Sequence, residues 1–188
     1  TVSTYQAVSG AGREAMDELR EQVGLLFRGA DVEPALFPHP IAFNAIPRID
    51  TPDADGYTKE EWKMVYETRK IMELPELPVT PTCVRVPVFN GHAESIVAEF
   101  AAPLSVEEAR EVLRNGPGLF VQDELDRDIY PTQIEVNGSD ATCVGRIRAA
   151  LGFESGLAFW CVADNLRKGA ATNAVQIAEV LIRDHLQA

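Results

Sequence analysis

Arg85 is the most exceptional residue for its surroundings in this 188-residue chain, because it stands inside TCVRVPV, among Cys83, Val84, Val86 and Val88. A guanidinium buried in such a strand requires an anionic partner, whereas one on an outward face requires none; spacing alone leaves both open. Pro87, two residues on, cannot donate to a ladder, so the strand lies at an edge or is bulged there. His92 follows in the loop-like FNGHAES, with Gly91 before it and Glu94 close by. Imidazole is the side chain best matched to proton transfer near neutral pH, with an ordinary surface histidine as the alternative. Glu60 and Lys63 form an i, i+3 pair on one helix surface; if fully solvated, such a pair contributes only ~0–1 kcal/mol. Gln6 ends the first β-like run, before Ser9-Gly10-Ala11-Gly12, a turn that is not the full G-x-G-x-x-G dinucleotide fingerprint. His39, between two prolines, reads as structural, and His185 falls in a helix's last turn, where a cation is favoured. Cys83, Cys143 and Cys161 each sit in an apolar run and read as small buried hydrophobes. No CxxC or HExxH spacing points to a metal site.

The elements that must position these residues follow from pattern. TVSTYQAV reads as a strand broken by SGAG. From Arg13 to Phe27, Met16, Leu19, Val23 and Leu26 recur at helical spacing. Residues 28–57 hold five of the twelve prolines, which predicts a long irregular excursion with IAFNAI as its likeliest strand piece. Thr58 and Glu61 form a capping box at the head of a second helix, which carries Trp62, Val65 and Met72. Strands are predicted over 82–88 and 95–100. A second capping box, Ser105 and Glu108, opens a helix that stops at Asn115-Gly116-Pro117. Short strands follow near 119–122, 133–136, 141–148 and 157–162. A final helix spans about 170–186, with Ala171, Ala174, Val175, Ala178, Leu181 and Ile182 along one stripe. This order is not the βαβα alternation of a doubly wound sheet. It predicts one α+β domain, residues 1–188: a mixed, largely antiparallel sheet with helices on one face.

Seventeen Lys and Arg against 29 Asp and Glu give a formal charge of −12. That balance argues against nucleic acid and against an anionic membrane surface, both of which demand clustered cations. No apolar run approaches the ~18 residues of a spanning helix. Three sparse cysteines fit a reduced, cytoplasmic compartment. The chain opens on Thr1 without a methionine, and so reads as a piece of something longer.

Six segments then stop being independent. STYQAVSGAGR, IAFNAIPRID, the TKEEWKM…ETRKI helix, TCVRVPVFNGH, VGRIR and DNLRKGAATNAVQIAE occur in one order. Together they resemble the C-terminal catalytic and dimerisation half of the bacterial aspartate-semialdehyde dehydrogenase family, over essentially all 188 residues. TCVRVPV with its histidine seven positions after Arg85 is the most specific element. DNL-x-KGAA is shared with the sibling N-acetylglutamyl-phosphate reductases. The resemblance implies the fold of a glyceraldehyde-3-phosphate-dehydrogenase-like C-terminal domain. It also implies reductive dephosphorylation of aspartyl phosphate to aspartate semialdehyde with NADPH, through a cysteine thioester. In that frame His92 is the acid/base, Arg85 holds the substrate carboxylate, Glu60 the ammonium and Lys63 the phosphate. Gln6 lies beside the nucleophile, and Ser9, Gly10 and Asn165 lie near the nicotinamide. The nucleophilic cysteine and most of the NADP site belong to an N-terminal half absent here, so this chain alone is expected to be inactive. The last helix is expected to pack on that half, and the assembly to be a homodimer. Two other readings remain: the N-acetylglutamyl-phosphate sibling, and a dimerisation module without catalysis.

Overall fold

The computed structural model describes residues 1–186. Its centre is a six-stranded mixed sheet of β1 (Val2–Gln6), β2 (Pro81–Arg85), β3 (His92–Glu99), β4 (Leu119–Val121), β5 (Thr142–Ala149) and β6 (Gly156–Ala163), in the order β2-β1-β3-β6-β5-β4. The outer pairs β1–β2 and β4–β5 are parallel, and the three pairs between them are antiparallel. This is the α+β class the element order implies. Strand β2 is an edge strand, but it ends at Arg85, so Pro87, predicted inside a strand over 82–88, lies beyond its end.

Register sorts the side chains into two faces. Thr4 lies opposite Cys83 on one side and Glu94 on the other, Glu94 opposite Cys161, and Cys161 opposite Val144. Side chains alternate across a strand, so these five share one face. The helices α2 (Lys59–Ile71) and α3 (Val106–Asn115) cover it: Met64 of α2 touches Cys83, and Ala109 of α3 packs on Val144, Ile147 and Leu157. Both helices open on the expected capping boxes. The Thr58 hydroxyl accepts from Glu61 N–H and the Glu61 carboxylate from Thr58 N–H; Ser105 and Glu108 repeat the exchange. The other oxygen of Glu61 accepts from Cys83 N–H at 3.0 Å. The cap therefore also fixes α2 along the outer edge of β2.

The opposite face carries Tyr5, Ala93, Trp160, Val162 and Cys143, with Val136 against them. Tyr5 and Trp160 pack with ring centroids 5.2 Å apart. Residues 133–136, predicted as a strand, are a turn. Val136 N–H bonds back to Thr132 O at 3.3 Å, which buries Val136 while leaving Ile134 exposed.

Helix α1 (Arg13–Phe27) packs beyond the sheet with Val8, Ile41, Ala42 and Ile46. Its buried face includes two polar residues the apolar spacing did not show. The Glu18 carboxylate accepts from Ala35 and Leu36 N–H, and Gln22 Oε1 from Ile41 and Ala42 N–H. These bonds satisfy the backbone of the proline-rich excursion, which has no ladder of its own. IAFNAI forms no strand; it contributes one isolated bridge, Ile46 to Arg85.

Three further differences concern boundaries. The strand predicted from residue 95 begins at His92, because Ala93 pairs with Tyr5. Gly116 ends α3 with φ −69°, not in the left-handed region. A Cβ there would meet Leu119 Cδ1 at 2.7 Å, so a larger residue would have to move the Leu119 side chain. Arg167–Ala171 form a π-helical turn ahead of α4 (Thr172–Asp184), which leaves Val175, Ile177, Val180, Leu181 and Ile182 exposed. Gln187 and Ala188 of the predicted terminal segment lie outside the described residues.

Candidate active site

The chemistry-bearing residues gather at one end of the β2-β1-β3 triplet. Gln6 and Arg85 are register partners, and His92 opens the strand on the other side of β1. Arg85 is 5% exposed, so the buried alternative holds. Its guanidinium donates to Ala7 O at 2.6 Å and forms no ion pair among the described residues. Burial draws its pKa below the ordinary guanidinium value, partly offset by Glu60. Arg85 also borders a cavity of about 420 Å³ that Arg48, Asp50 and Phe37 help to line.

The main chain of Ala7 joins two of the site residues. Its carbonyl accepts from Arg85, and its N–H donates to His92 Nδ1 at 3.1 Å. The imidazole hydrogen is thereby assigned to Nε2. Burial first, then Arg85, lowers the His92 pKa to about 4. The sequence suggested a histidine titrating near neutrality in a loop. The structure gives a strand residue that is neutral there, because a desolvated ring beside a guanidinium resists a second positive charge. Glu94, its sequence neighbour, is not the carboxylate acting on it; Glu60 is. Burial raises the Glu94 carboxyl above its ordinary range.

Gly10 marks where these groups converge. A Cβ there would lie 2.9 Å from Arg85 Nη1 and 3.0 Å from His92 Nε2. Gly12, at φ +95°, supplies the turn, and Gly10 supplies clearance. Gly91, at φ +88°, has the unusual backbone expected before His92. Gln6 Nε2 donates to Glu60 Oε1 at 3.2 Å, and Lys63 Nζ to Glu60 Oε2 at 3.2 Å. Asn165 Oδ1 accepts from Gly91 N–H at 2.8 Å, and Ser9 Oγ lies within 3.2 Å of the same amide. All eight residues singled out from sequence fall into this one cluster.

Several supporting groups were not legible as site residues. The backbone of Ala7 has no sequence signal. Gln133 Nε2 donates to both Tyr5 O and Gly91 O, from a turn misread as a strand. Thr4 bonds Gln6 from below; its signal was a second polar residue at the same parity of β1. The three cysteines are reduced and at least half-buried. Burial pushes the thiols of Cys83 and Cys161 up to about 11 and about 12 and raises that of Cys143. Among the described residues no group of His, Cys, Asp and Glu gathers as a metal site, and no helix is long and apolar enough to cross a membrane.

An acid, two cations and an imidazole thus converge at one end of a mixed sheet. The model of the family described as "Semialdehyde dehydrogenase, dimerisation domain" matches residues 1–168, and the chain belongs to that family. It is 56% identical over 186 residues to an aspartate-semialdehyde dehydrogenase of Aquifex aeolicus, covering 98% of this chain and 55% of the relative. Two solved structures of aspartate semialdehyde dehydrogenase II from Vibrio cholerae, one complexed with ASA, superpose with TM-scores of 0.94 and 0.93 at 50% identity. Each alignment covers 98% of this chain and 54% of the solved one. The chain thus spans about half the length of the relatives it matches.

Proposed function

We propose that this chain is the substrate-binding and dimerisation half of an NADP-dependent, cytoplasmic aspartate-semialdehyde dehydrogenase. The carrying observation is Arg85, a buried guanidinium bonded to one carbonyl and to no carboxylate among the described residues. A substrate carboxylate supplies the missing anion, and the planar fork can take it with two parallel hydrogen bonds. Aspartyl phosphate also carries an ammonium and a phosphate. Glu60 takes the first and Lys63, whose side chain is 55% exposed, takes the second. The competing N-acetylated substrate has no free ammonium, and the half-buried Glu60 held at the site mouth favours the aminated one.

The acyl group passes to a cysteine thiolate as phosphate leaves, and the thioester is then reduced to the aldehyde with the thiolate released. The family resemblance puts that cysteine on the other half; consistent with this, Cys83, Cys143 and Cys161 are at least half-buried and burial raises their thiol pKa values, whereas thiolate is the reactive form. His92, neutral with its Nε2–H toward the site, hydrogen-bonds the acyl oxygen as it gains charge. Gln6 stands beside the nucleophile. NADPH would supply the hydride when bound. The residues here fit only its nicotinamide end: Gly10 is exposed and lacks a side chain, with Ser9 and Asn165 next to it, whereas no Gly-rich pyrophosphate loop is present among the described residues. The exposed apolar side of α4 packs on the cofactor-binding half, and the Tyr5–Trp160 face is the homodimer surface.

The test is an assay of the full-length protein with aspartate semialdehyde, phosphate and NADP. Reduction of NADP is expected there and not with the 188-residue chain alone. Turnover of N-acetylglutamate semialdehyde instead would establish the sibling reaction, and turnover of neither would leave a dimerisation module. Gly10→Ala is expected to lower kcat/KM about 100-fold, the scale of a ~1 Å displacement of reacting groups, because one methyl displaces both Arg85 and His92. Gly10 is outside the left-handed region, so the substitution adds no backbone strain, and the melting temperature should fall by only a few degrees, from moving the two side chains. Steady-state kinetics and a thermal melt on one sample check both.

A further inference from the structure

We propose that Thr4 is a positioning residue for this site, acting through Gln6; the proposal rests on the roles given above to Gln6 and Glu60. Thr4 is 2% exposed and so does not itself reach a substrate. Its Oγ1 accepts from Val84 N–H at 3.3 Å and donates to Gln6 Oε1 at 2.9 Å. A main-chain N–H can only donate, so the Thr4 hydroxyl hydrogen is free for Gln6. The far end of the amide confirms the same orientation. Gln6 Nε2 meets Glu60 Oε1 at 3.2 Å, and a flipped amide would set its oxygen against a carboxylate oxygen.

The result is a directed chain: Val84 N–H to Thr4, Thr4 to Gln6, Gln6 to Glu60, with Lys63 on the other Glu60 oxygen at 3.2 Å. Thr4 and Gln6 lie on one face of β1, two residues apart. The buried end of the chain is therefore fixed by the sheet, and the exposed end is the carboxylate offered to the substrate ammonium. Removal of the hydroxyl leaves Gln6 Oε1 buried without a donor. The amide then has no reason to hold Glu60, which swings toward Lys63 and away from the ammonium position.

The experiment compares Thr4→Val, which keeps the shape and loses the donor, with Thr4→Ser, which keeps the donor, in the full-length protein. Thr4→Val is expected to raise the KM for aspartate semialdehyde roughly 10-fold with a smaller change in kcat, and Thr4→Ser to stay near the parent. In a Gln6→Leu background Thr4→Val should have no further effect, since coupled residues are not additive. Crystal structures give a second measure that needs no activity: the Gln6–Glu60 contact is lost in Thr4→Val and kept in Thr4→Ser. Retention of that contact in Thr4→Val, or an additive effect with Gln6→Leu, overturns the proposal. If Thr4→Val does not fold, Thr4→Ala takes its place with the same expectations. A parent enzyme inactive on the aminated substrate would instead overturn the functional reading, and the crystallographic comparison would still decide the role of Thr4.

Discussion

Arg85→Lys in the full-length protein raises the KM for aspartate semialdehyde roughly 10- to 100-fold, with kcat changed less. The figure follows from hydrogen bonds to a charged group, worth about 1.5–3 kcal/mol, where 1.4 kcal/mol is tenfold. Lysine keeps the charge but presents a point donor on a flexible stem. Its three donors also diverge from one nitrogen, so with one directed at Ala7 O, now held at 2.6 Å, the other two cannot lie parallel along a carboxylate. Steady-state kinetics over a range of substrate concentrations separates the two parameters. A KM equal to the parent's would remove Arg85 from the carboxylate role.

His92→Ala lowers kcat by about 100- to 1000-fold, the cost of deleting one oxyanion-type donor. His92→Gln, which can still place an N–H, recovers part of that loss. Were the ring a base toward the thiol, Gln and Ala would be equally poor, because an amide cannot take up the proton. A stability measurement checks the environment independently. The folded-state pKa of His92 is lowered from 6.5 to about 4, so as pH falls the unfolded chain protonates this residue first. The resulting contribution to stability is fully present above pH ~6.5 and is lost progressively toward pH 4. The stability difference between the parent and His92→Asn should therefore shrink on acidification across that window. Paired denaturant titrations at several pH values read it, and an unchanged difference would contradict the buried, neutral ring.

Local signals carried much of this architecture. Thr58/Glu61 and Ser105/Glu108 located two helix starts, because a capping box is a short-range exchange of hydrogen bonds. Pro87 lies two residues past the end of the edge strand β2 and so marks where its ladder stops rather than a place within it. Glu60 and Lys63 met as their spacing demands. What stayed hidden depends on partners distant in the chain. Glu18 and Gln22 interrupt the apolar stripe of α1 because their partners are loop amides up to 20 residues away. Ile134 and Val136 alternate like strand residues, yet a helical turn gives them opposite burial. The protonation state of His92 could not be read from FNGHAES, since it is set by burial and then by Arg85.

The β1–β2 pair is parallel, and so its two strands must be joined by a long crossover, which here carries α1, the proline-rich excursion and α2. Contacts that build the site consequently close very large loops: Gln6 to Glu60 spans 54 positions, Arg85 to Ala7 78, His92 to Ala7 85, and Ser9 to Asn165 156. Contacts of such sequence separation are slow to form, because the entropy of loop closure is lost before they contribute. The site is thus a late product of folding, assembled once β1 has found both neighbours. It has no nucleus of its own, and a nascent chain cannot complete it until the segment around Asn165 has emerged.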